Sequence, residues 1–193
     1  MTNSLTKSIR PNPNGDMPVV DPTAYIDPTA QIIGNVKIGA NVYVGPYAVI
    51  RADESDDKGK VHAIEIAAEC NVQDGVIIHA LGGTPVTIGK RTALAHGCIV
   101  HGPCKIGEKC VVGFRAVVFK SVLGNGSFIG VNATVQGVDL AANSLAYPAE
   151  AVLSKDGAAK LAGKAGNTEH AFVEKVINEN LKLTKGYIRL KQD

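Results

Sequence analysis

The chain of 193 residues has no tryptophan, and aromatic residues make up only 5% of it. A core organised around large rings is therefore excluded, and packing falls to the abundant Gly, Val, Ile and Ala. Four cysteines are present, but no C-x-x-C pair and no secretory context accompany them, which argues against a zinc ribbon or a disulfide framework. No apolar run approaches the length of a membrane span, and the N-terminal MTNSLTKSIRPNPNGDMP lacks the apolar stretch of a signal peptide, so a cytoplasmic protein is expected. The formal charge is +2 with no dense basic block, so neither nucleic acid nor an anionic membrane is expected as a partner.

What the sequence does have is a six-residue period. Ile26, Ile32, Ile38, Val44 and Ile50 are six apart; the phase resumes at Ile66, Val72 and Ile78, and again at Ile88, Leu94, Val100, Ile106, Val112 and Val118. A short run follows at Leu123, Ile129 and Val135. This period fits neither an amphipathic helix nor an alternating strand, and it is the sequence sign of a β-helix whose triangular coil takes three hexapeptides. Four residues after each aliphatic position a tight corner requires a small inward side chain. Ala30, Val36, Val42, Ala48, Val76, Ala116 and Ala133 stand there, and so do Cys70, Cys98, Cys104 and Cys110. The cysteines therefore read as compact core residues rather than as ligands or redox groups.

A coil accepts extra residues only by looping them out. Ile50 and Ile66 bracket one excursion near residues 52–63, and the ten residues from Ile78 to Ile88 bracket a shorter one with Gly82-Gly83-Thr84-Pro85 as its turn. After Gly137 the period lapses. Phe172, Val176, Ile177, Asn180 and Leu181 then recur at helical spacing, with Asn167 or Thr168 as the expected N-cap. The expected organisation is mainly β: an N-terminal extension over 1–20, a left-handed parallel β-helix over 21–137, a connector over 138–166, a packed α-helix over 167–185 and a tail over 186–193.

The phase of the histidines suggests a metal site. His79 follows Ile78 and His101 follows Val100, so both point outward from the second position of their hexapeptides. Their spacing of 22 residues is one 18-residue coil plus the four inserted residues. They should therefore stack on one face, with backbones about 4.8 Å apart. His96 lies near a corner on another face and should point away from that pair. A catalytic zinc typically takes three protein ligands and an open position. Threefold packing of triangular prisms would bring His96 of one subunit against His79 and His101 of the next, so a homotrimer is expected. Nearby polar residues belong to the same region. Arg51, Asp53 and Glu54 begin the first excursion, and Asn71, Gln73 and Asp74 precede His79, with Gln73 outward on the adjoining face. They suit either orientation of a water at the metal or ion pairing across a subunit interface, the latter favoured for Arg51, Asp53 and Asp74.

Through VVDPTAYIDPTAQIIGNVKIGANV, IRADE, NVQDGVIIHAL, LAHGCIVHGP and VFKSVLG, the sequence over most of residues 19–137 resembles the γ-class carbonic anhydrases and their homologues within the hexapeptide-repeat superfamily. NENLKLTKGY is similar to that family's closing helix. The resemblance implies reversible hydration of carbon dioxide to bicarbonate. It implies that His79, His96 and His101 bind Zn2+, with Fe2+ or Co2+ as alternatives, at a trimer interface. It further implies that Gln73 hydrogen-bonds the hydroxide held there, that Arg51 and Asp53 form an interface ion pair, that Glu54 lies near the site and that Asn180 on the helix approaches the pocket. One departure stands out: an acidic loop that carries a proton-shuttling glutamate in well-characterised members is replaced by Gly82-Gly83-Thr84-Pro85 after His79-Ala80-Leu81. Two other functions fit the same fold, a CoA-dependent acyltransferase with an unmetallated histidine as base and a non-catalytic metal-binding trimer.

Overall fold

Each hexapeptide places two to four residues in extended backbone and turns within the rest, so successive strands lie on successive sides of a triangle. A computed structural model describes residues 8–190 of the chain. The first seven residues of the expected extension and the last three of the expected tail lie outside that range. The chain folds as a left-handed parallel β-helix with an α-helix along its side. Its strands form three parallel sheets, one of eight strands and two of seven, and each strand pairs with the strand one coil earlier.

Parallel pairing in exact step stacks like positions into columns. Ile32, Ile50, Ile78, Val100, Val118 and Val135 pair in sequence along the eight-stranded sheet, and all are 0% exposed. The interior is thus a column of β-branched side chains, each resting on its counterpart one coil away. Burial of this surface is the main source of stability for a solenoid, because each coil contacts only its neighbours.

The β-helix is longer at both ends than the period indicates. Strand Ile9–Arg10 pairs with Ile32 and Ile33, and Val19–Val20 pairs with Lys37 and Ile38, so the expected extension already forms part of the first coil. Strands Asp139–Leu140, Leu145–Ala146 and Ala151–Val152 continue the ladders where a connector is expected. Leu140, Ala146 and Val152 restore the six-residue spacing and are buried. The step from Val135 to Leu140 is one residue short, and this slip hides the continuation. The remaining connector holds a short helix, Lys155–Ala159, whose N-cap Ser154 accepts from the Gly157 amide at 3.1 Å.

The long helix spans Asn167–Leu190, past the expected end at 185, since the single Gly186 does not stop it. Asn167 and Thr168 lie inside its first turn rather than at an N-cap. Glu169 instead reaches back to accept from the Gly166 amide at 2.9 Å, as the acidic member of a capping box does. Val173 and Ile177 pack on Ala93 and Val111 of a seven-stranded sheet. Arg91, at a corner of the coil, hydrogen-bonds Glu69 on the β-helix and Glu174 on the helix, and Lys109 pairs with Glu174 at 3.2 Å. These contacts fix the helix's position along the coil. Among the described residues no helix is long and apolar enough to cross a membrane.

All four cysteines are free and buried at the inward corner position. Burial pushes the thiols of Cys70 and Cys98 up to about 12 and that of Cys110 to about 11, and it also raises Cys104. The native protein should therefore leave every cysteine unreacted with a thiol-specific reagent at pH 8, and all should react after denaturation. Rapid modification of the native protein would contradict this packing. Leu94, fully buried in the column, should cost about 2–5 kcal/mol when changed to Ala, read from the midpoint of denaturant unfolding.

Candidate metal centre

The eight-stranded sheet brings one outward column together. Arg51, His79, His101 and Phe119 occupy consecutive strands in direct register. The four-residue insertion between His79 and His101 is looped out, so it leaves their alignment intact. The two imidazoles meet edge to face with ring centroids 4.8 Å apart, and His79 Nδ1 lies 3.0 Å from His101 Nε2. Phe119 stands edge-on beneath His101 with centroids 5.1 Å apart.

The protons on this column follow from donor chemistry. Arg51 Nη2 lies 3.0 Å from His79 Nε2, and a guanidinium can only donate. His79 Nε2 therefore presents its lone pair in that contact, which leaves the ring's proton on Nδ1, donated to His101 Nε2. His101 then carries its proton on Nδ1, a buried atom without a hydrogen-bond partner. Burial, followed by the nearby Arg51 charge, holds the His79 imidazole below its ordinary range and keeps it in the neutral form that ligates metals.

Two loops close over the upper edge of the pair. The first excursion folds back on itself through a bridge between Ser55 and Val61. Glu54 Oε1 lies 3.2 Å from His79 Nε2, while Glu54 Oε2 accepts from the Gly82 amide at 2.9 Å. Gly83 adopts φ +71°, and a Cβ there would fall 2.4 Å from the Asp56 Cβ, so only glycine lets the two loops interlock. The expected Arg51–Asp53 ion pair closes within one chain, at 3.2 Å. Asp53 Oδ1 is buried without a hydrogen-bond partner.

His96 is elsewhere. It lies in the turn after strand Ala93–Leu94, about half exposed, with Nδ1 3.3 Å from Asp74 Oδ2 and its ring 5.5 Å from that of Phe114. On the neighbouring face Gln73 Nε2 donates to Asn71 Oδ1 and to Asn180 Oδ1, both at 2.8 Å. Asn180 comes from the long helix, where its own Nδ2 donates to the Val176 carbonyl at 2.8 Å. Both Gln73 amide hydrogens are thereby committed, and its carbonyl oxygen is the free end. A cleft of about 430 Å³ runs from Gln73 and His96 along the helix, walled by Val111, Phe114, Phe128, Phe172 and Val176.

The site residues thus fall into two groups. His79 and His101, with Arg51, Asp53 and Glu54, form one; His96 and Asp74, with Asn71, Gln73 and Asn180, form the other. Among the described residues no three His, Cys, Asp or Glu side chains of a single chain converge on one point. The pair itself suits a divalent ion, which would take the place of the proton now shared between two facing ring nitrogens. Phe114 and Phe119 were not singled out from the sequence. Phe119 follows Val118 by one and so continues the His79 and His101 column, a signal the period already contains.

The fold defines a hexapeptide-repeat β-helix protein, and the paired histidines are its candidate site for a metal ion. Residues 17–52 match the family model described as bacterial transferase hexapeptide (six repeats). The chain is 36% identical to a carbonic anhydrase of Methanosarcina thermophila, over 91% of this chain and 77% of that one. It is 32% identical to the carboxysome assembly protein CcmM of Synechococcus elongatus, over 64% of this chain but 24% of the relative. The crystal structure of a hexapeptide transferase family protein from Anaplasma phagocytophilum superposes with a TM-score of 0.72 at 25% identity, covering 92% of this chain and 96% of that one. The chain belongs to the γ-class carbonic anhydrase and γ-carbonic anhydrase-like family of the hexapeptide-repeat superfamily.

If the pair is a metal half-site, protein purified without chelator should hold stoichiometric divalent metal, and His101→Ala should lose it. Retention of full metal content by that variant, measured by elemental analysis, would show that the column is not the ligand set.

Proposed function

We propose that a trimer of this chain is a metal-dependent carbonic anhydrase that interconverts carbon dioxide and bicarbonate. The observation that carries this reading is the division of the site residues into two groups, each unable to hold a catalytic ion alone. Packing the His79 and His101 column of one copy against the His96 corner of the next completes a three-histidine set, which Zn2+, Fe2+ and Co2+ all accept. Such an ion would lower the pKa of a water to about 7 and so supply hydroxide at neutral pH.

The chain's own residues do the rest. With its NH2 group held by Asn71 and Asn180, Gln73 offers Oε1 as an acceptor and so orients a hydroxyl whose remaining lone pair faces the carbon of the substrate. The apolar walls of the adjoining cleft suit carbon dioxide, which has no hydrogen to donate and needs no strong polar anchor. Glu54 touches His79 with one oxygen, and its side chain is 41% exposed, so it can pass a proton from the site to solvent. Arg51 places a positive charge beside the column, where it favours a departing bicarbonate only transiently because Asp53 already pairs with it.

A second reading is a non-catalytic metal-binding trimer. It is favoured by the loop over residues 80–85, where no carboxylate stands. Stopped-flow hydration of carbon dioxide by protein of known metal content separates the two. The hydratase reading expects a rate well above buffer that disappears in His101→Ala, and a fall in rate for Glu54→Gln when buffer is limiting. Full metal occupancy with only the background rate would leave the non-catalytic reading.

A further inference from the structure

After strand Ile9–Arg10 the chain leaves the ladder, and a turn over residues 12–16 folds against the first excursion. Asn12 is 5% exposed and spends its whole side-chain amide there. Its Oδ1 accepts from the Asn14 and Asp16 amides, both at 3.0 Å, and its Nδ2 donates to Asp16 Oδ2 at 2.9 Å and to the Ala52 carbonyl at 3.2 Å. Gly34 admits this contact, since a Cβ there would collide with the Ala52 carbonyl oxygen and with the Asn12 Cβ. Ala52 ends strand Val49–Ala52, so the turn is anchored two residues before Glu54.

From that anchor Asn14 reaches the tip of the excursion, where its Nδ2 donates to the Gly59 carbonyl at 2.7 Å. The Gly59 amide in turn donates to the Asp56 carbonyl at 2.9 Å, and Asp56 Oδ1 accepts from the Lys58 and Lys60 amides, both at 2.9 Å. The tip is therefore stiff, and a hold on Gly59 is a hold on Asp56. Asp56 interlocks with Gly83, and Glu54 on the same hairpin bonds the Gly82 amide and touches His79. A short two-stranded hairpin has little stability of its own in water. Anchorage at Ala52 and Gly59 therefore sets where this one lies.

We propose that the turn over residues 12–16 is a positioning element of the candidate metal centre, with Asn14 as the positioning residue. By holding the excursion at both ends it keeps Glu54 between His79 and the Gly82 amide. The use of Glu54 rests on the hydratase reading, in which it carries the proton, but the placement itself needs neither metal nor turnover.

Amide NMR on the protein as purified tests it. Glu54→Ala first marks where the Gly82 amide resonates, and how fast it exchanges, without its carboxylate acceptor. Asn14→Ala, at an exposed position, should carry the Gly82 signal toward that reference and speed its exchange about tenfold, the scale of one hydrogen bond. The ladder amides of Ile77 and Ile99 should stay unchanged. Asn14→Asp, which sets a carboxylate against the Gly59 carbonyl, should act in the same direction. A Gly82 signal unmoved in Asn14→Ala would overturn the proposal. Faster exchange confined to Asp56 and Gly59 would overturn it too, because the turn would then pack the tip without positioning Glu54. Failure of the wild type to hydrate carbon dioxide would overturn the hydratase reading alone and leave the Gly82 result standing.

Discussion

Register between parallel strands is the constraint on which the rest of this molecule depends. A parallel ladder with every strand one coil from the last converts sequence spacing into spatial columns, so residues one coil apart touch: 18 positions in the regular repeat, and more where a looped-out segment intervenes, as between His79 and His101. The inward columns give a core of β-branched side chains and small corner residues. The outward column on the eight-stranded sheet gives Arg51, His79, His101 and Phe119 in a row. Had the four extra residues before Val86 been absorbed into the coil instead of looped out, His101 would have moved off that column and the pair would not exist.

The excursions have a second consequence. Because a solenoid has no other place for extra chain, both loops leave the coil near the paired histidines and meet there. Glu54 spans from His79 to the Gly82 amide, and Gly83 admits Asp56 where any side chain would collide. The polar environment of the histidine pair is thus built from residues that carry no part of the repeat. Arg51 pairs within the chain with Asp53 and Glu54, which leaves the imidazoles as the available ligands.

The long helix supplies what the β-helix cannot. A flat sheet face offers Gln73 only its neighbour Asn71; docking of the helix adds Asn180, and together they fix which end of the Gln73 amide is free. The ion pairs from Arg91 and Lys109 to Glu174 set the helix along the coil, so the placement of Asn180 depends on contacts well removed from it. The same docking creates the apolar cleft, whose floor is strand and whose roof is helix. Helix position, amide orientation and cleft shape are therefore one coupled arrangement.

The sequence by itself determined the coil, the inward place of all four cysteines, the two looped-out segments and the stacking of His79 on His101, because each of these follows from counting in sixes. It also kept His96 away from that pair. It left out both ends of the β-helix, where two-residue strands at Ile9 and Val19 precede the first clear run and a five-residue step after Val135 breaks the count. Only the tertiary structure decided that Glu54 bridges His79 and Gly82, that Asn180 holds Gln73 and that a cleft opens beneath the helix. These contacts join segments whose separation is no multiple of the repeat, so no periodicity encodes them. They arise where loops and helix pack by shape and hydrogen bonding.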